Sequence, residues 1–147
     1  MAKKHAAKLA KFKKDMIKVV EFDDDPDLSW LQTEYKTSGG KITKIVSSCR
    51  YSDDDIKTHG QEVLKWIKQD HDRLDAYKSG EWHMIGIRAK LNVELPIGNG
   101  NTREMEFVSA GLWGIESDSD DEYIDSVFEE ECDQLLSELA TVANIFS

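Results

Sequence analysis

Residues 85–95 alternate strictly, with Ile85, Ile87, Ala89, Leu91, Val93 and Leu95 set against Gly86, Arg88, Lys90, Asn92 and Glu94. A period of two over that length predicts a strand with one buried face and one wet face. "PIGNGN" (96–101) supplies the turn of a hairpin, and residues 102–110 predict the returning strand. "KITKIVSSCRY" (41–51), after the Gly39-Gly40 turn, has the β-branched character of another strand.

Elsewhere the period lengthens to that of a helix. Ile56, Gly60, Val63, Ile67 and Leu74 form one stripe behind Ser52 and Asp53-Asp54-Asp55, which predicts a single helix running to Tyr77 and ending at Ser79-Gly80. Ile124, Val127, Phe128, Leu135, Leu139 and Val142 form a second stripe, from about Asp120 to Asn144, with Ser119 and Glu122 as its capping box. Leu9, Phe12, Met16 and Val20 extend helical spacing across the lysine-rich first 20 residues. Gly111 and Gly114 around Trp113 predict a bulge or sharp bend leaving the sheet.

These elements predict an α+β two-layer sandwich. Its antiparallel sheet has three to four strands with two long helices on one face, and a basic N-terminal helix is added to it. The expected division is an extension over 1–20, removable without loss of folding, and a single domain over 21–147.

Charge sharpens the picture. The net charge of -10 conceals +6 over residues 1–20, where seven lysines meet only Asp15. The remainder carries 12 basic and 28 acidic groups, hence -16. After Arg103 no basic side chain occurs, while 13 acids follow. Such asymmetry speaks of partners rather than of fold. No apolar run reaches the length of a membrane span, and the lysine-rich start lacks the apolar core of a secretory signal. Cys49 and Cys132 form no CxxC and read as reduced thiols. The expectation is a cytoplasmic chain without a membrane partner.

Candidate chemistry is sparse. "EFDDDPDLSW" (21–30) lacks the alternating ligands, central glycine and terminal glutamate of an EF-hand. "SGGK" (38–41) lacks the P-loop spacing. His5, His59, His71 and His83 offer no i, i+4 pair, so no metal ligands, cofactor or catalytic residues are assigned. Two carboxylates do interrupt apolar stripes: Asp70 on the first long helix, with His71 beside it, and Glu131 on the last. Side by side on one sheet they could share a proton or a divalent ion, and a small enzyme built on them is one alternative.

At "CRYSDDDI" (49–56), "AYKSGEWHMIGIRA" (76–89) and "SAGLWGIESDSDDEY" (109–123) the chain resembles a family of small uncharacterised proteins of phages, plasmids and other mobile elements. The resemblance covers roughly Asp27 to the C-terminus; the family usually has two glycines where this chain has Ala110-Gly111. It implies a mobile-element origin and transfers no catalytic residue. For a phage-encoded protein the compartment would be the host cytoplasm.

The function expected from charge is that of a non-enzymatic acidic interaction protein. Asp118, Asp121, Asp125, Glu129, Glu130 and Asp133, with Trp113, would dock on a basic, nucleic-acid-binding surface of a host nuclease, helicase or defence complex, as a DNA-imitating inhibitor does. The second alternative is a nucleic-acid accessory protein using Lys4, Lys8, Lys11 and Lys14.

Overall fold

The computed structural model describes residues 10–146, with side chains as far as residue 141. In chain order the elements are a helix over 10–15 (α1), β1 (Ile17–Phe22), a 3-10 turn (Ser29–Leu31), β2 (Glu34–Ser38), β3 (Lys41–Ser47), α2 (Asp53–His59), α3 (Glu62–Lys78), β4 (Met84–Gly98), β5 (Asn101–Val108), β6 (Leu112–Glu116) and α4 (Asp121–Phe146). The chain is α+β, with a four-stranded antiparallel sheet and a separate two-stranded one. It divides into two compact units, residues 24–83 forming one and the segments on either side forming the other.

In the unit built from both ends of the chain, β4 is the central strand. β1 pairs along Ile85–Lys90, β5 along Lys90–Gly98 and β6 along Met84–Ile87, all antiparallel. Because β1 shares partners with both β5 and β6, those two lie in tandem on the opposite edge of β4. The junction between them is irregular. Val108 faces Lys90 and Leu112 faces Ile87, so four steps on one strand match three on the other. The extra residue is taken up at Gly111, whose φ of 91° suits glycine. A second extra residue falls at Gly114, φ 76°.

Ile85, Ile87, Ala89 and Leu91 are buried on one face, as their alternation predicts, together with Ile115 and with Val127, Cys132 and Leu135 of α4. Met16 is buried in the same core, and Phe12 packs against it. Burial pushes the Cys132 thiol pKa up.

The unit over 24–83 is a β2–β3 hairpin covered by helices. Ile42, Val63 and Ile67 form its core, with Tyr35, Ile45, Tyr51 and Trp66 packed around them. Two side chains continue the ladder of β3. Gln61 accepts from the Ile42 amide at 2.8 Å and donates to its carbonyl at 3.3 Å. Asp53 accepts from the Ile45 amide at 2.8 Å. An edge that would otherwise be open to another strand is thereby satisfied. Trp82 is fully buried: its indole N–H donates to the Arg73 carbonyl at 2.9 Å and Arg73 lies 3.8 Å over its ring.

Several expectations need correction. The helix expected over 1–20 gives way to β1 at Ile17, where the β-branched run Ile17, Val19, Val20 prefers an extended backbone; the boundary at residue 20 falls inside that strand. The helix expected from Ser52 to Tyr77 breaks at Gly60, whose φ of 62° and ψ of -136° end α2. The two long helices do not share one sheet face: α4 covers β4, whereas α3 packs on β3 and the 3-10 turn. Asp120 rather than Ser119 caps α4, accepting from the Tyr123 amide at 2.8 Å, while Ser119 donates to the Glu116 carbonyl. The reciprocal Ser52–Asp55 capping box of α2 is present.

Candidate interaction face

α4 carries no basic residue and its outer face is acidic. Asp121, Glu122, Asp125, Glu129, Glu130 and Asp133 are exposed along about 18 Å of helix axis. Asp121 and Glu122 lie in the first turn, where carboxylates are favoured by the helix dipole. Asp118 is exposed just before the helix.

No basic side chain follows Arg103 in sequence, yet three of these acids have a counter-charge from the first elements of the chain. Lys13 of α1 lies 2.7 Å from Asp133 and 3.6 Å from Glu129, and Lys18 of β1 lies 3.8 Å from Asp125. The Asp133 contact raises the Lys13 pKa above its ordinary value. These three carboxylates nonetheless keep 60–71% of their side-chain exposure. Among the described residues no cation is paired with Asp121, Glu122 or Glu130. Phe12 and Met16 set Lys13 beside α4 by burying the other side of the same segment. Sequence periodicity had placed Phe12 and Met16 on one face, but it could not name α4 as the surface they cover.

Trp113 lies on the sheet face opposite α4. Its ring covers Gly86 so closely that a Cβ built there would stand 2.3 Å from Cε3. Arg88, from the same face of β4, sits 5.3 Å over the ring, with Nη1 3.9 Å from Glu21. Trp113 keeps 39% of its surface exposed. It therefore stands apart from the acidic face of α4 rather than beside it. Gly86→Ala is expected to lift the indole off the strand and destabilise the protein by about 1–3 kcal/mol through overpacking. Thermal melts of Gly86→Ala and of Gly86→Ala with Trp113→Ala check this: the second change should restore most of the loss.

Of the proposed nucleic-acid contacts, Lys11 and Lys14 are exposed on α1, while Lys4 and Lys8 lie outside the described residues. His71 serves the fold, its Nε2 lying 3.1 Å from the Thr33 carbonyl oxygen.

Asp70 and Glu131 belong to different units, and each has partners in its own. Asp70, 8% exposed, accepts from Arg50 Nη1 at 2.9 Å and from the Tyr51 hydroxyl at 3.1 Å. Burial and the Asp70 charge together push the Tyr51 pKa up. Glu131, 5% exposed, accepts from the Ser109 hydroxyl at 2.9 Å. That hydroxyl in turn accepts from the Ala89 amide at 2.9 Å, where the irregular junction leaves β4 without a backbone acceptor. Both interruptions of the apolar stripes thus mark polar groups satisfied inside one unit.

Among the described residues no group of three His, Cys, Asp or Glu side chains is placed to hold a metal ion, and no helix is long and apolar enough to cross a membrane. No protein-family model, curated protein or solved structure matches the chain.

Proposed function

We propose that this is a non-enzymatic interaction protein, encoded by a phage or another mobile element, that presents the carboxylates of α4 to a basic, nucleic-acid-binding surface of a host protein. The observation that carries the proposal is the exposed row from Asp121 to Asp133 on a helix with no basic residue. Carboxylates fixed on a rigid helix compete with phosphates because attraction and counter-ion release follow charge density rather than its chemical carrier. Lys13 and Lys18 temper the row along one side without covering it. An inhibitor of a host nuclease or defence complex is the specific form of this function. Trp113, on the other sheet face, is not required by it.

The test replaces Asp125, Glu129, Glu130 and Asp133 together by Gln. Stability should stay near wild type, because the lysine pairs given up are exposed and the like charges relieved are neighbours at i, i+4. Immobilised wild-type protein should retain basic nucleic-acid-binding proteins from bacterial lysate at about 50 mM salt and release most of them by about 200 mM. Duplex DNA added as competitor should displace them, and the Gln variant should retain several-fold less. Equal retention by the two proteins refutes the proposal.

A further inference from the structure

The unit over 24–83 carries a cleft of about 360 Å³ lined by its own residues. Its walls are aromatic. Tyr51 and Trp66 are inclined by 23° with centroids 6.4 Å apart, and His59 meets the Trp66 ring edge-on at 5.1 Å. Its polar groups are Arg50, Asp55, Gln69 and Asp70.

The charges in the cleft do not cancel. Asp70 neutralises Arg50, whose guanidinium it holds at 2.9 Å. Asp55 is left over. One of its oxygens, Oδ2, accepts from the Ser52 amide at 2.8 Å and from the Ser52 hydroxyl at 3.4 Å in the cap of α2. Its other oxygen has no donor among the described residues. Excess negative charge beside half-buried aromatic rings is the chemistry that attracts a cation. The chain displays that preference with its own residue, since Arg50 lies 5.7 Å from the Trp30 ring centre and 5.5 Å from that of Tyr51.

We infer that this cleft receives a basic side chain, arginine above all, from a polypeptide partner. The guanidinium would lie against Trp66 and Tyr51 and direct its donors to the open oxygen of Asp55 and to Gln69. Asp70 and Arg50 are positioning residues: they fix the Tyr51 ring and keep the buried carboxylate from acting as a second counter-ion. The inference does not rest on α4, because the cleft is built entirely within residues 24–83 and its test is read there.

The probes are N-acetyl-arginine amide, the neutral isostere N-acetyl-citrulline amide and the anion N-acetyl-glutamate, each titrated into the full-length protein. Binding is read from the indole N–H resonance of Trp66. The buried Trp82 indole, bonded to Arg73, serves as an internal reference. Arginine amide should shift Trp66 saturably and bind at least about tenfold more tightly than the citrulline compound. Asp55→Asn, which keeps one carbonyl oxygen for the α2 cap, should weaken arginine binding by about the same factor. Glu62→Gln, outside the cleft, should not. A saturable shift of equal strength with citrulline, a tighter response to the glutamate probe, or no saturable shift with arginine amide overturns the inference.

Discussion

Deletion of residues 1–20 is expected to unfold the four-stranded unit, although their charge suggests a removable basic extension. Residues Ile17–Phe22 pair with Phe22↔Ile85 at one end and Ile17↔Lys90 at the other, so the cut would remove the β1 partners of Ile87, Arg88, Ala89 and Lys90 on the central strand. The Asp23 amide donates to the Met84 carbonyl at 2.9 Å, which places the main-chain groups of Gly86, Arg88 and Lys90 toward β1 in the same alternation. Those of Arg88 and Lys90 would lose their partners Val19 and Ile17, while Glu21, the partner of Gly86, is retained. Met16 would also leave the cluster of Ala89, Leu91, Cys132 and Leu135, and Phe12 would leave its flank.

The magnitudes make the outcome clear. Truncating one buried methionine to alanine costs about 2–5 kcal/mol, and native domains hold only about 5–15 kcal/mol in total. Loss of Met16, Phe12 and four of the six residues of β1 exceeds what a marginal domain tolerates. Met16→Ala is the graded form of the experiment, and chemical denaturation should report a loss of about 2–5 kcal/mol. A deletion variant with unchanged near-ultraviolet circular dichroism and amide protection would show that β1 is dispensable. The lysines therefore cannot be tested for nucleic-acid binding by removing the segment. Changing exposed Lys11 and Lys14 to Gln keeps Phe12 and Met16 in place and is the cleaner comparison.

What the sequence made legible follows from how local each signal is. The alternation from Ile85 to Leu91 predicts both the strand and its buried face, because a period of two leaves no other arrangement that buries all four. The start of α2 at Ser52, followed by Asp53, Asp54 and Asp55, is equally local and equally readable. Ile17, Val19 and Val20 carried β-branched character, but Leu9, Phe12, Met16 and Val20 also fit a helix, and the longer pattern outweighed the shorter. Gly60 fitted the apolar stripe of a helix by spacing while its backbone ended that helix. Asp70 and Glu131 stood out correctly as polar interruptions, yet their partners Arg50 and Ser109 lie 20 and 22 residues away, beyond any helical or strand period. Lys13 facing Asp133 is a pairing between the two ends of the chain. Only the sheet, by bringing β1 next to β4 under α4, makes those neighbours.

The same logic yields the second large effect, at Ser109. Its hydroxyl accepts from the Ala89 amide and donates to Glu131, so one oxygen satisfies two groups that the irregular β5–β6 junction would leave buried and unpaired. Ser109→Ala removes both bonds at once and is expected to cost about 2–4 kcal/mol, since each orphaned buried group carries a desolvation penalty of about 1–3 kcal/mol. Glu131→Leu should cost less, because it completes the apolar stripe of α4 and removes the buried charge instead of stranding it. In the double variant the charge is gone before the serine is lost, so the two effects should fall short of additivity by about 1–2 kcal/mol. Urea denaturation of the four proteins closes the cycle. A Ser109→Ala loss within about 0.5 kcal/mol, the level of an ordinary surface change, would contradict the assignment. Strict additivity would show instead that Glu131 does not depend on this serine. The result also bears on function: a Glu131 whose removal acts through Ser109 is a fastening of α4 to the sheet, holding rigid the helix that carries the exposed acids.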